Sequence, residues 1–387
     1  MSNLLIENAA LYTPQGVIGR GWLHAAAGKI QAYGPGTPPD LPGASRLDAR
    51  GASLLPGFID VHVHGARGHD TMDANPEGLR TMARFFARHG VTCFLPTTMT
   101  EDRARISAAL RAVRSVMGPV AGGASIAGAH LEGPYLTASK CGAQQLDQIR
   151  PADMDEAREW LDLDVIRLLA LAPEHEANLL LLDECVRRGV AVSAAHTDAT
   201  YEQMRAAFAR GLRQSTHTYN AMRGLHHRDP GTLGAALDDE RVRCELIADN
   251  IHVHPGAMRL LWKLKGPRGV ILITDAMAAV GMPEGDYHLG SQRVSMRANK
   301  VTLADGTLAG SALTFDAALR NFQAATGASL AELWPATSLN AAEAIGLGAC
   351  KGRIQPGYDA DLVLLDANLN VQTTIALGEM LDPAQEN

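Results

Sequence analysis

Between residues 58 and 274 eight short apolar runs recur, and most are separated by a stretch with helical spacing. The runs lie at 58–63, 92–96, 125–131, 165–171, 191–195, 214–218, 245–248 and 270–274. Segments with an apolar face near a 3.6-residue period lie between them at 77–89, 103–117, 153–161, 174–188 and 201–210, and one at 255–264 opens with Pro255, a residue suited to the first helical turn. Strands joined through helices pair in parallel, because the crossover returns each strand to the same end of the sheet. Eight such units predict a (β/α)8 barrel, with an open doubly wound sheet as the competing topology. In a barrel the C-terminal strand ends converge on one mouth, where catalytic groups sit.

The flanks read differently. Residues 1–54 carry short strand-like runs and turns, a Pro/Gly-rich loop at 35–42 and no helical pattern. Residues 350–387 return to short strands after two helical patterns at 313–325 and 329–345. A small β-sandwich domain built from both chain ends (1–54 and 350–387) is therefore expected beside a catalytic domain at 55–349. A β-hairpin insertion is expected at about 283–307, where strand-like runs are joined by Gly290-Ser291 and Ala298-Asn299.

The predicted strand ends carry the chemistry. In Pro56-Gly57-Phe58-Ile59-Asp60-Val61-His62-Val63-His64-Gly65, period-2 geometry puts Asp60, His62 and His64 on one face. Glu132 ends the third strand, His196 the fifth, His217 the sixth and Asp275 the eighth. Any one of these alone is a weak signal, since a lone His or Glu is more often exposed or locally hydrogen-bonded. Their joint placement on five strand ends is not. Glu132, His196 and His217 offer one metal ion a carboxylate and two imidazoles with a position left open, which is the catalytic rather than the structural pattern. His62 and His64 offer a second site, with Glu132 as a bridge, and Asp275 is placed as general base. One or two divalent ions per chain are expected: zinc first, with iron, manganese or cobalt as alternatives. His130 shares the face of Glu132 one pleat deeper and reads as a supporting core histidine.

Composition narrows the partners. The 387 residues carry 35 basic and 42 acidic side chains, a formal net charge of −7, and no basic cluster of the kind that tracks nucleic acid or a membrane surface. No apolar run nears the ~20 residues that span a bilayer. The first residues lack the charged and long apolar regions of a signal peptide. Five scattered cysteines without a CxxC argue against disulfides, and a cytoplasmic location is expected.

Taken together, Pro56-Gly57-Phe58-Ile59-Asp60, His130-Leu131-Glu132-Gly133-Pro134, the His196 and His217 segments, Tyr219-Asn220-Ala221-Met222, Thr274-Asp275-Ala276-Met277 and Leu308-Ala309-Gly310-Ser311 resemble the amidohydrolase superfamily. Within it they are most similar to the N-acetylglucosamine-6-phosphate deacetylases. The resemblance implies a metal-dependent barrel of the amidohydrolase type, a homodimer, and hydrolysis of the acetamide of a phosphorylated amino sugar. It matches Glu132, His196 and His217 to the main metal ligands and Asp275 to the general base. Asn220, Ala221 and Ala309 match substrate-contacting positions. His252 and Arg228 match phosphate-binding positions, with Arg228 reaching the neighbouring subunit's site; an arginine suits phosphate through its forked, permanently charged donors. Gln144 stands where these enzymes usually place a histidine that polarises the scissile carbonyl. An amide N–H donates a hydrogen bond but carries no charge, so a second ion at His62 and His64 is expected to take part of that role. The alternatives are a deacetylase of N-acetylgalactosamine 6-phosphate or of an unphosphorylated amino sugar, a cyclic-amide hydrolase, and a non-enzymatic scaffold of the same fold.

Overall fold

The computed structural model describes residues 3–381. Two parallel sheets form its centre. In the first, Phe58–Val63 pairs with Val91–Pro96, which pairs with Ser125–Ile126. The second runs in chain order through Ala129–Glu132, Ile166–Leu171, Ala191–Ala194, Gln214–Ser215, Arg243–Ile247 and Val270–Ile273. Isolated parallel bridges join the sheets at both edges, Thr97 to His130 and Val63 to Ala276. The Asp275 amide donates to the His62 carbonyl at 2.9 Å, so the last strand of the second sheet meets the first strand of the first. Nearly every side chain of these strands is buried, which is why they read as continuous Val, Ile, Leu and Ala runs rather than as alternating ones.

The helices fall where the apolar stripes place them, with explicit end signals. Asn75 caps Pro76–Arg88, and Thr200 with Gln203 forms a capping box on Tyr201–Arg210, which ends at Gly211 in a left-handed conformation. Four expectations need correction. The third run is not one strand: Gly128, at φ +146°, breaks it, and a Cβ there would lie 2.6 Å from the Val165 carbonyl oxygen. The sixth strand stops at Ser215, since its next residues turn into the site. A helix at Gly231–Asp238 was not predicted, because Gly231 and Gly234 dilute its pattern. The helix expected at 329–345 is broken into Leu330–Trp334, a wider π turn at Pro335–Leu339 and Asn340–Ala344, because Pro335 has no N–H to continue the α ladder.

Both chain ends enter one mixed eight-stranded sheet. Ser53–Pro56 lies between Asn3–Thr13, to which it is parallel, and Leu362–Leu365, to which it is antiparallel. Leu11, Leu23, Ile30, Leu54, Leu362 and Ile375 help to form a separate apolar cluster there. The expected insertion is a three-stranded antiparallel sheet, Gly285–Leu289, Gln292–Arg297 and Lys300–Thr302. Its tip is fastened over the strand ends: the Gly290 amide donates to Asp70 Oδ2 at 3.1 Å and the Ser291 amide to Glu101 Oε1 at 2.9 Å. Among the described residues no helix is long and apolar enough to cross a membrane, and all five cysteines are free.

Candidate active site

The candidate metal-ligating side chains and Asp275 sit at or just past strand ends. His62 and His64 lie at and just beyond the end of Phe58–Val63. Asp60, one pleat deeper, accepts from Thr274 Oγ1 at 2.6 Å and from the Thr274 amide at 3.3 Å, and so ties the first strand to the eighth. Burial pushes the Asp60 carboxyl up to about 7. His196, His217 and Asp275 hold left-handed backbone conformations, at φ +44°, +30° and +52°. Such conformations cost non-glycine residues about 1–3 kcal/mol each and concentrate at functional sites. Gly133 permits a close approach next to Glu132: its φ is +79°, and a Cβ there would stand 2.0 Å from Thr100 Oγ1.

These turns bring the predicted residues together. Glu132 Oε1 lies 3.3 Å from His196 Nε2, 3.3 Å from His217 Nε2 and 3.5 Å from His62 Nε2. Glu132 Oε2 lies 3.4 Å from His64 Nε2. Asp275 Oδ1 is 3.2 Å from His64 Nε2 and 3.6 Å from His62 Nε2. Two three-residue groups therefore share Glu132: His62, His64, Glu132 and Glu132, His196, His217. All of these side chains are buried. Burial works against the charge on Glu132, but the imidazoles around it hold the carboxyl well below its ordinary value. Burial is likewise overcome at Asp275, where His62 and His64 bring the carboxyl down to about 2. His62 and His64 are raised in turn against burial by Glu132 and Asp275, His64 to about 9.

This donor set fits a divalent cation. Glu132 Oε1 and Asp275 Oδ1 are buried without a hydrogen-bond partner, and four imidazole Nε2 atoms face them. The pocket demands positive charge at its centre, which protons or a cation can supply. The outward nitrogens support the same orientation: His64 Nδ1 lies 3.3 Å from the Thr97 carbonyl oxygen and His196 Nδ1 2.8 Å from that of Lys140.

A profile of the amidohydrolase family matches residues 53–381. The chain belongs to the amidohydrolase family. It is 43% identical over 340 residues to an N-acetylglucosamine-6-phosphate deacetylase of Lysinibacillus sphaericus, covering 87% of this chain and 88% of that one. It is 40% identical over 373 residues to an N-acetylgalactosamine-6-phosphate deacetylase of Escherichia coli O157:H7, covering 96% and 97%. A variant N-acetyl-D-glucosamine-6-phosphate deacetylase from Mycobacterium smegmatis, solved in complex with N-acetyl-D-glucosamine-6-phosphate, superposes with a TM-score of 0.91 at 33% identity, covering 98% and 100%.

In this amidohydrolase His64, Glu132, His196, His217 and Asp275 line a cavity of about 390 Å³, a size suited to a small ligand, and His62 does not line it. Gln144, Asn220, Ala221 and His252 all line it. Ala309 does not; it is fully buried, and its neighbours Leu308 and Gly310 form that part of the wall. Arg228 is exposed, lies outside the cavity of its own chain, and donates to His227 Nε2 at 2.8 Å. His252 is held by Asp249, whose Oδ2 lies 2.7 Å from its Nδ1. Burial opposes charge on this ring, but Asp249 more than offsets it and raises the ring above its ordinary value. Gln144 differs from expectation: its amide nitrogen donates to Glu132 Oε2 at 2.8 Å, and its oxygen accepts from the Thr100 amide at 2.8 Å. It clamps the shared carboxylate.

His130 is a core histidine as read: its Nδ1 lies 3.1 Å from the Val61 carbonyl oxygen, and burial holds the ring well below its ordinary value. Several contributors went unnoticed in the sequence. Leu289, from the insertion, lines the cavity. Glu245 stands fully buried behind His62, and its only signal was an acid inside the apolar run Cys244-Glu245-Leu246-Ile247.

Proposed function

We propose that this amidohydrolase hydrolyses the acetamide of N-acetyl-D-glucosamine 6-phosphate to D-glucosamine 6-phosphate and acetate. The observation that carries this is the juxtaposition of two metal-competent groups sharing Glu132 with Asp275, at a cavity whose wall holds a charge-favouring His252. The named activities of the relatives agree with it. Glu132, His196 and His217 would hold one divalent ion, and His62, His64 and Glu132 a second, with zinc the first candidate and iron, manganese and cobalt the others. Such an ion supplies Lewis acidity and lowers the pKa of water toward ~7. Asp275, held ionised, takes the proton of the attacking water as its oxygen bonds to the acetyl carbon. When the C–N bond breaks, Asp275 returns that proton to the departing amine. Gln144 keeps Glu132 from rotating. Asn220 and Ala221 border the sugar, and Ala309 backs the wall behind it. His252 meets the phosphate, and Arg228 from a second copy of the chain completes that contact in a homodimer.

The architecture we infer is one closed (β/α)8 barrel at 55–349 and a second domain from 1–54 and 350–387. The two inter-sheet bridges and the separate apolar cluster support it. We place the enzyme in the cytoplasm on its free cysteines. A second reading, N-acetylgalactosamine 6-phosphate as substrate, is favoured by the Escherichia coli O157:H7 relative.

Acetate release from phosphorylated and unphosphorylated sugars, with divalent metal, tests the proposal. His252→Asn is expected to raise KM for the phosphorylated sugar about 10- to 100-fold, the worth of one hydrogen bond to a charged group. Its KM for the unphosphorylated sugar should stay the same. An equal change for both sugars would remove His252 from the phosphate.

A further inference from the structure

Glu245 is a carboxylate with no evident reason to be where it is. It lies on Arg243–Ile247, is fully buried, and neither of its oxygens has a hydrogen-bond partner among the described residues. A buried carboxylate without a partner is strongly unfavourable. Its ion-pair contact is His62, whose Nδ1 stands 3.5 Å from Glu245 Oε2. That nitrogen is also buried and without a hydrogen-bond partner. The opposite ring nitrogen, Nε2, faces Glu132 and Asp275 at 3.5 and 3.6 Å and His64 Nε2 at 3.3 Å.

We propose that Glu245 is a positioning residue for His62, holding the tautomer with its proton on Nδ1 so that Nε2 is the free ligand atom and the His62, His64, Glu132 group takes a second divalent ion. This rests on the metal-dependent reading above. The neighbouring histidines show the alternative device, since His64 and His196 place Nδ1 against backbone carbonyls. Behind His62 a carboxylate takes that place. A carboxylate both fixes the ring and raises its basicity as a ligand. The 3.5 Å separation is just longer than a formed N–H···O bond. Positive charge on the far side of the ring strengthens the attraction across it. His130 packs edge-on against the same ring, at 4.7 Å and 84°, and so limits its tilt. Glu245 does not line the cavity, so it acts through His62 and not on the substrate.

The test is a zinc titration of the metal-stripped full chain against a chromophoric chelator, for wild type, Glu245→Gln, His62→Gln and the double variant. Glutamine keeps the shape of the side chain, but its N–H can donate to Nδ1 and so favour the wrong tautomer. Wild type is expected to take two ions. Glu245→Gln should weaken one step 10- to 100-fold and leave the other unchanged. His62→Gln should lose the same step, and Glu245→Gln should add nothing in that background. The inference is overturned by a single ion in wild type or by two unchanged steps in Glu245→Gln. Loss of both steps, or an equal further loss in the His62→Gln background, also overturns it, since either marks a merely structural role. Acetate release by wild type is scored separately. Two ions and the predicted pattern without acetate release would sink the functional proposal alone; acetate release with unchanged steps would sink the Glu245 inference alone.

Discussion

Asp275→Asn is expected to lower kcat for acetate release by about 10²- to 10⁴-fold, the usual contribution of a positioned acid–base group. The substitution keeps the shape of the side chain and the backbone bond from the residue 275 amide to the His62 carbonyl. It removes the negative charge of the carboxylate whose Oδ1 faces both first-strand imidazoles without a hydrogen-bond partner of its own. A carboxyl held down to about 2 is ionised across the neutral range, so wild-type Asp275 is ready to accept a proton without a prior ionisation step. Asparagine can neither take that proton nor return it to the amine. Ion binding at Glu132, His196 and His217 should persist, because residue 275 is not part of that group. Steady-state kinetics with metal analysis checks both halves. A variant with near-normal kcat would remove Asp275 from the proton path.

Glu132→Gln has the second large effect and a different signature. Glu132 is the one residue common to both metal groups. Its loss should abolish both zinc-binding steps and lower kcat/KM by roughly 10³-fold, the scale of several kcal/mol of Lewis-acid stabilisation. The thermal shift of wild type on adding metal, worth about 2.7 kcal/mol at a hundredfold excess over Kd, should vanish. The metal-free protein should also lose stability at neutral pH. The folded Glu132 carboxyl lies below its ordinary value of 4.5, so its contribution is fully present above that value and is lost only as pH falls through the lower, folded one. Glutamine forfeits that contribution at every pH above the window, and wild type and variant should converge in acid. Retention of either zinc-binding step would refute the shared-carboxylate geometry.

What could be read in the chain follows from the physics of each signal. The strands were legible because burial on both faces demands unbroken apolar runs, and the clustering of the candidate metal ligands because each falls where such a run ends. The break at Gly128 was not, since it depends on how closely the Val165 carbonyl approaches. Gly231–Asp238 was missed because its glycines lower helix propensity while packing keeps it helical. Gln144 was legible as a residue of the site but not in its direction. Its amide turns to Glu132 because Thr100, distant in sequence, pins the other end. Glu245 carried the least signal, because the partner that gives it meaning lies on another strand.

The activity proposed for this protein is metal-dependent deacetylation of a phosphorylated amino sugar. Its most direct test is acetate release from N-acetyl-D-glucosamine 6-phosphate and from N-acetyl-D-glucosamine at equal concentration, before and after chelation and with metal restored. The phosphorylated sugar is expected to be turned over far faster, chelation to stop the reaction and added divalent metal to restore it. Equal rates on the two sugars, or acetate release that survives full removal of metal, would contradict the proposed activity.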